Sequence, residues 1–270
     1  MVLRRKIMIS VLLLVVLGVI LQGILYRCLL WPSYEALERD EARRQAQRVM
    51  AALQSDIEHL RSFAADWGTW DDTCQFVADR NPEYAKSNLG LPTFTQNGLN
   101  LIGLLDRSGR PLWLQTVYPR TESVIHLPEF PETGLPADHP LLRLEEVDGS
   151  VSGLWPTSAG PMLVASVPIV GSDGAGPIRG VLLMGRPLDA VCVEKLRRQT
   201  QVDFRLRPAG SASEAGAAGF APGIRLETGP DTLRARAVLA DIVGRPLLLM
   251  DASIPRHIIA RGLASLRVAV

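Results

Sequence analysis

An uncharged apolar segment constrains this chain more than any other feature. Residues 7–26 form a run of twenty without one charged side chain, and a helix of that length crosses the hydrocarbon core of a bilayer. Arg4, Arg5 and Lys6 precede the run, which predicts a cytoplasmic tail over residues 1–6 and an exported remainder. The run is longer than a usual signal-peptide core and no A-x-A site follows it. We therefore predict an uncleaved transmembrane helix over residues 7–30, with a cleaved signal peptide as the alternative.

Composition argues against nucleic acid as a partner. The 29 basic residues nearly balance the 28 acidic ones, so the net charge is +1 and no strong basic field exists. The three cysteines, Cys28, Cys74 and Cys192, are too few for a disulfide framework. A single Cys74–Cys192 bridge is left open.

Catalytic and metal-binding motifs are absent from the sequence. The four histidines, at positions 59, 126, 139 and 257, have neither H-x-x-x-H nor H-E-x-x-H spacing, and no cysteine pair has metal-ligand spacing. No G-x-S-x-G element is present. We therefore expect no catalytic residue, no metal and no cofactor.

A heptad pattern predicts one long helix over residues 31–78, continuous with the anchor. Two neighbouring seams recur every seven residues: Ala46, Leu53, Leu60, Trp67 and Cys74, and Met50, Ile57, Ala64, Asp71 and Ala78. Such a narrow apolar stripe is typical of a coiled coil or of a helix packed along a partner. We interpret it as a signalling stalk and expect a homodimer through this seam. Asp71 occupies an apolar position of the seam, so we expect a half-buried carboxylate with a specific partner.

Short strands dominate the rest of the chain, after Pro82. The predicted strands cover residues 99–106, 110–118, 151–155, 161–170, 178–186, 201–207, 223–228, 232–239 and 244–252. Helices are expected at 139–146 and 188–199, a loop at 119–140 and a flexible insertion at 208–222. Helices segregated from sequentially adjacent strands predict an α+β domain on an antiparallel sheet, spanning residues 66–253. Residues 254–270 resemble the start of a second, incomplete transmembrane segment.

The stretch of residues 66–94 carries a family resemblance. It reads Asp-Trp-Gly-Thr-Trp-Asp-Asp-Thr, then Phe76-Val77, Tyr84, Ser87-Asn88-Leu89 and Thr93-Phe94. This pattern closely resembles the class-four CHASE family of extracytoplasmic sensory domains in bacterial transmembrane receptors. The resemblance extends over about residues 34–261 and is also specific at 101–109 and at the strand pair that ends with residues 181–189. A further similarity covers residues 241–246 and 254–256. Cys74 stands where the family pattern leads us to expect an aromatic residue.

The resemblance implies a PAS-like or Cache-like sheet and a position outside the bacterial inner membrane, in the periplasm. It also implies that a second span and a cytoplasmic output domain follow beyond Val270. In such receptors the output is usually a diguanylate cyclase or phosphodiesterase, or a histidine kinase. None of their catalytic sequences occurs here, so we expect this chain to be an input domain and not an enzyme.

A ligand pocket is expected between the long helix and the sheet. Tryptophan faces attract cations and a desolvated carboxylate binds an amine, so Trp67, Trp70 and Asp71 are the candidate residues. Arg186 ends a strand and is expected to face them, where it could bind a ligand carboxylate. The alternative is a structural corner in which both rings pack in the core and Asp71 pairs with Arg186.

Tyr84 and Asn88 are further candidates for ligand binding, on the segment after Pro82. Two other functions stay open at this point. One is an anchored periplasmic hydrolase that uses Asp66 and Asp71 as an acid and base pair. The other is a scaffold that binds a protein partner and no small molecule.

Overall fold

A continuous helical column enters the domain from the apolar segment. The computed structural model describes residues 2–118, 120–144, 146–172, 174, 176–210 and 223–256. Helix α1 (Val2–Leu25) is joined by a π-helical turn (Tyr26–Leu30) to helix α2 (Trp31–Gly68). The large apolar side chains of α1 are exposed, which suits a lipid environment. Within the described part of the chain, only this column has a stretch long and apolar enough to cross a bilayer.

The long helix ends earlier than the heptad pattern predicts. Helix α2 stops at Gly68, Trp70 has extended backbone angles, and a separate helix α3 begins at Asp71. The prediction of one helix over residues 31–78 is therefore wrong. The remaining helices are α3 (Asp71–Asp79), α4 (Pro82–Asn88), α5 (Leu91–Asn97) and α6 (Ala190–Thr200).

Within the described residues, ten strands form two antiparallel sheets, whereas we expected one sheet. The first sheet has the order β3-β2-β1-β6-β5-β4 and the second has the order β7-β10-β9-β8. The strands of the first are β1 (Leu101–Asp106), β2 (Pro111–Tyr118), β3 (Ser123–Val124), β4 (Val151–Thr157), β5 (Gly160–Ile169) and β6 (Gly180–Pro187). Those of the second are β7 (Phe204–Pro208), β8 (Arg225–Thr228), β9 (Thr232–Ala240) and β10 (Pro246–Pro255). The expectation of an α+β domain on antiparallel sheets is confirmed.

The first sheet is covered on both faces. Its central strands β1, β5 and β6 are almost wholly buried, which explains their unbroken apolar sequences. Helix α2 covers one face, and the segment of residues 120–144 covers the other through Leu127, Phe130, Leu135 and Leu141. The helix expected at 139–146 is only a 3-10 turn (Pro140–Leu142), capped by the His139 ring, whose Nδ1 accepts from the Leu141 N–H.

The second sheet alternates buried and exposed residues, as a sheet with one covered face does. In β9, Leu233, Ala235 and Ala237 are buried, whereas Arg234 is exposed. Helix α2 packs against this buried face as well as against the first sheet. Both sheets therefore share α2 as one wall of their core.

The apolar seam of α2 is buried within the chain itself. Ala46, Leu53, Ile57 and Leu60 all belong to the core cluster that includes residues of both sheets. The expectation that this seam joins two copies is therefore wrong, because the seam already has partners. Homodimerisation by another surface stays a prediction.

Two predicted segments reach beyond the described residues. Most of the insertion at 208–222 lies outside them: only Pro208, which ends β7, and residues 209 and 210 are described. Of the predicted second membrane segment at 254–270, Ile254 and Pro255 belong to β10, Arg256 follows it, and the remainder lies outside the described residues. All three cysteines are free thiols, so Cys74 and Cys192 are not bridged.

Leu60→Ala tests the intramolecular packing of α2. Leu60 is fully buried, so its truncation should cost about 2–5 kcal/mol in unfolding free energy. Leu37→Ala on the same helix is the matched control: Leu37 is 48% exposed, and its loss should be within about 0.5 kcal/mol. Denaturant titration of the full chain in detergent, followed by tryptophan fluorescence, measures both. A loss that varies with protein concentration would place the seam between copies and contradict this packing.

Candidate functional site

Aromatic stacking closes the end of α2. The Trp67 and Trp70 rings stack with centroids 5.0 Å apart, and the centroid of the tilted Phe63 ring lies 5.7 Å from that of Trp67. Trp67 is buried in the core, and Trp70 covers it at the surface. The structural alternative, in which both rings pack in the core, therefore holds for Trp67 but not for Trp70, which is 36% exposed.

Gly68 allows the end of α2 to touch strand β5. The Val170 N–H donates to the Gly68 carbonyl at 2.9 Å. A Cβ added at Gly68 would lie 2.7 Å from the Pro168 carbonyl oxygen, closer than side chains approach backbone atoms. The glycine of the Asp-Trp-Gly motif is thus required by a close backbone approach.

Asp71 holds the loop that follows β5. Its two carboxylate oxygens accept hydrogen bonds from the Ser172 N–H at 2.9 Å and the Ser172 hydroxyl at 2.8 Å. These bonds lower the pKa of the Asp71 carboxyl, because they stabilise its charged form. The side chain is exposed, so the expectation of a half-buried carboxylate is wrong. The helix break at Gly68 shifts the phase of α3 and takes Asp71 off the seam.

Arg186 does not pair with Asp71. Its Nη2 donates to the Asn97 carbonyl at 3.0 Å, at the end of α5. Its Nε is buried and finds no hydrogen-bond partner among the described residues. The structural alternative in which Asp71 pairs with Arg186 is therefore wrong. The two side chains have different hydrogen-bond partners, which does not support the predicted pocket of Trp67, Trp70, Asp71 and Arg186.

A polar cleft lies instead between α3 and α4. Its volume is about 300 Å³, at the lower end of the range for small-molecule sites. Two of the predicted ligand residues, Tyr84 and Asn88, line it. The full lining is Asp72, Gln75, Phe76, Asn81, Glu83, Tyr84, Ser87 and Asn88.

Buried aromatic rings form the floor of this cleft. Tyr84 stacks on Phe76 with centroids 4.9 Å apart, and its hydroxyl shares a 2.7 Å hydrogen bond with the Thr73 hydroxyl. Burial raises the pKa of Tyr84, and the nearby Asp72 carboxylate adds to the rise. Asn88 is held by its Nδ2, which donates to the Tyr84 carbonyl at 3.2 Å. Stacking and hydrogen bonds therefore hold the floor in place, and the raised pKa of Tyr84 keeps its phenol neutral near pH 7.

The cleft residues that our sequence reasoning missed come together through one tight turn. Arg80 ends α3 in the left-handed region with φ 55°, and the Asn81 side chain caps α4 by accepting from the Glu83 N–H at 2.9 Å. This turn folds α4 back beside α3. The Asn81-Pro82 pair, a helix N-cap followed by proline, was the sequence signal that could have located it.

The lining favours binding of a neutral or positively charged polar group. Asp72 and Glu83 contribute carboxylates, and none of the lining residues is Lys or Arg. Among the described residues, no group of His, Cys, Asp or Glu is arranged to hold a metal ion. Both oxygens of Asp71 are bonded to Ser172, which does not favour the hydrolase alternative with Asp66.

Gly68→Ala should destabilise the domain. Alanine favours a helix by about 1 kcal/mol over glycine, but the added methyl group meets the Pro168 carbonyl, and such overpacking costs about 1–3 kcal/mol. The backbone oxygen cannot rotate away, so we expect the upper part of that cost, about 2–3 kcal/mol, and after the helix gain a net loss of about 1–2 kcal/mol in thermal or denaturant unfolding. Gly176→Ala, where a Cβ meets nothing within 4 Å, is the control. Equal stability of both variants would disprove the close contact.

Asp71→Ala should change how stability responds to acid. The folded-state pKa of Asp71 is lowered, so its contribution is present above the ordinary pKa near 4 and is lost as pH falls through the folded value. Between about pH 5 and about pH 2 the wild type should therefore lose more stability than Asp71→Ala. Asp66→Ala, also exposed, is the control. If the melting temperatures of the wild type and Asp71→Ala fell equally between about pH 5 and about pH 2, the hydrogen bonds from Ser172 to Asp71 would be contradicted.

Comparison with known proteins agrees with this architecture. One relative is the methanogenesis regulatory histidine kinase FilI of Methanothrix harundinacea (strain 6Ac), which is 29% identical over 236 residues. The match covers 86% of this chain but only 26% of that relative, so the chain spans about a quarter of its length.

Solved structures share the fold at low sequence identity. A domain of a sensory box/GGDEF family protein from Vibrio parahaemolyticus superposes with a TM-score of 0.56 at 10% identity, covering 84% of this chain and 99% of that one. The extracellular domain of a protein described as a histidine kinase, vpHK1S-Z8, gives 0.53 at 10% identity, covering 86% and 96%. These are PAS/Cache-like sensor domains, as the resemblance implied. The CHASE4 domain model matches residues 52–207, more than half of the chain, and the chain therefore belongs to the CHASE4 domain family.

Proposed function

We propose that this chain is a membrane-anchored, extracytoplasmic input domain that binds a small polar molecule in the α3–α4 cleft. The signal passes through α2 to an output domain in the cytoplasm. The observation that carries the proposal is the continuity of the column: two residues, Thr69 and Trp70, separate α2 from α3, which forms one wall of the cleft. A change in the cleft would act directly on a helix that continues into the apolar segment.

The column has the length that such a role needs. At 1.5 Å per residue, the 38 residues of α2 extend roughly 57 Å from the membrane end. The helix is stiffened by packing on both sheets, so small displacements at one end reach the other. A histidine kinase output, as in FilI, would place the receiving domain in the cytoplasm.

The ligand is proposed to carry a positively charged or neutral polar group. Two carboxylates and several amide and hydroxyl groups line the cleft above an aromatic floor. An amine would be attracted by the carboxylates of Asp72 and Glu83 and would lie near the faces of Phe76 and Tyr84. Amines are therefore the first compounds to test, with carboxylates and neutral polar compounds beside them.

Thermal-shift titration of the full chain in lipid nanodiscs tests ligand binding. A compound that binds only the folded state stabilises it by about 2.7 kcal/mol at a hundredfold excess over its Kd. Asp72→Asn and Glu83→Gln remove charge from two exposed side chains of the cleft, so they should abolish the shift while leaving the melting of the free protein nearly unchanged.

Asp66→Asn is the control for this experiment. Asp66 is also exposed but does not line the cleft, so this variant should keep the full shift. Equal shifts in all four proteins would place the ligand elsewhere. No shift with any compound, together with capture of a protein partner, would support the scaffold alternative.

A further inference from the structure

One arginine joins the end of the second sheet to the beginning of α2. Arg256 directly follows β10, and its Nε donates to the Glu38 carboxylate at 2.9 Å. Its Nη2 lies 3.9 Å from the Glu35 carboxylate, one helical turn nearer to the membrane. Arg256, at the end of β10, is therefore bound to the first part of α2.

This ion pair is buried and geometrically fixed. The Arg256 and Glu38 side chains are only 12% and 4% exposed. The Arg256 Nη1 donates to the Gly229 carbonyl and its backbone N–H to the Asp231 carbonyl, both at 3.0 Å. Removal of one partner from a buried pair leaves an uncompensated charge in the interior. The contact therefore holds the two elements in one relative position.

A chain of contacts extends from this ion pair toward the membrane segment. The Glu35 carboxylate also accepts from the Trp31 indole N–H at 3.1 Å. The Trp31 ring in turn lies 6.0 Å from the Arg27 guanidinium and 6.4 Å from the Tyr26 ring. Tyr26 and Arg27 begin the π-helical turn between α1 and α2. Single π-turns within long helices occur frequently at functional sites.

We propose that Arg256, Glu38, Glu35 and Trp31 form a coupling clamp, which ties the end of β10 to α2 and keeps the π-turn at Tyr26–Leu30 in place. The role of the clamp in signalling rests on the proposed function above. The clamp itself is a property of the free protein.

The π-turn explains how a small displacement at the clamp becomes a large one in the bilayer. A π-turn closes i→i+5 hydrogen bonds and so holds one residue more than an α-turn. If it relaxes to a regular α-helix, the residues on the membrane side rotate by about 100° relative to α2. In this proposal, the clamp and the π-turn form one element with two discrete arrangements. A ligand in the α3–α4 cleft and the membrane segment would each shift the balance between these arrangements.

Cys28 provides a reporter for the turn. It lies within the π-turn and is exposed, whereas Cys74 is buried. Burial raises the pKa of Cys192 to about 11, so its thiol stays protonated near pH 7 and reacts slowly. A nitroxide reagent should therefore label Cys28 selectively in the full chain in nanodiscs. Its electron paramagnetic resonance spectrum reports the mobility and bilayer depth of the turn.

Arg256→Ala should shift the Cys28 spectrum, although the two residues are not in contact. Glu38→Gln should shift it in the same direction but less, because glutamine still accepts a hydrogen bond. Trp31→Phe keeps a ring but loses the indole donor, and it should also shift the spectrum. Arg207→Ala is the control: Arg207 pairs with Asp251 at 3.3 Å on the same sheet, away from the clamp, so the spectrum should stay as in the wild type.

An unchanged Cys28 spectrum in all three clamp variants would overturn the proposal. Arg256 would then only stabilise the packing of the second sheet against α2. Circular dichroism melting confirms that each variant is folded. If Arg256→Ala does not fold, Glu38→Gln and Trp31→Phe decide the question. The experiment uses no ligand, so a spectral shift combined with a failed ligand titration would reject small-molecule binding and leave the clamp standing.

Discussion

Burial of one face of α2 against both sheets is the interaction on which the rest of the structure depends. Leu53, Ile57 and Leu60 are each at least 95% buried there, and each contributes about 1.5–3 kcal/mol relative to an exposed side chain. Together with the neighbouring small residues, these contributions rival the whole stability of a typical domain, about 5–15 kcal/mol. The helix therefore cannot detach from the sheets without unfolding them, and α2 is a core element of the sensor domain as well as its connection to the membrane.

Because α2 is packed on both sheets, contacts at its two ends are connected through one helix. At the far end, Gly68 lets the helix touch β5, and the chain turns within two residues into the wall of the polar cleft. At the membrane end, Glu38 holds Arg256 at the exit of the second sheet. A ligand in the cleft and a displacement at the clamp would thus act on the same rigid body. Membership of the CHASE4 family is consistent with an input domain built in this way.

The sequence predicted the strands and the buried stripe of α2 well, since alternation and heptad spacing report local burial. It did not identify what covers the stripe, because a periodic apolar face does not say whether its partner is another copy or a distant strand. Asp71 shows a second limit. The heptad count assumed an unbroken helix, but the close approach of Gly68 to Pro168 ends the helix and changes the direction of every later side chain.

The candidate site was harder to predict for a related reason. Tyr84 and Asn88 were predicted as candidates on the segment after Pro82, whereas Asp72, Gln75 and Glu83 join them only through the tight turn at Arg80 and Asn81. Helices α4 and α5 have seven residues each, with proline at the first position of α4 and the second of α5, so they are too short to show periodicity. The alternative that paired Arg186 with Asp71 rested on their opposite charges, and tertiary geometry gave each a different partner.

Hydrogen–deuterium exchange along α2, measured for the full chain in nanodiscs, tests the central claim most directly. If α2 is the shared wall of both cores, its amides from about Ala42 to Ala64 should exchange as slowly as those of β5 and β9, because they open only with the sheets. Fast exchange of α2 beside protected strands would show a separate stalk and contradict the account.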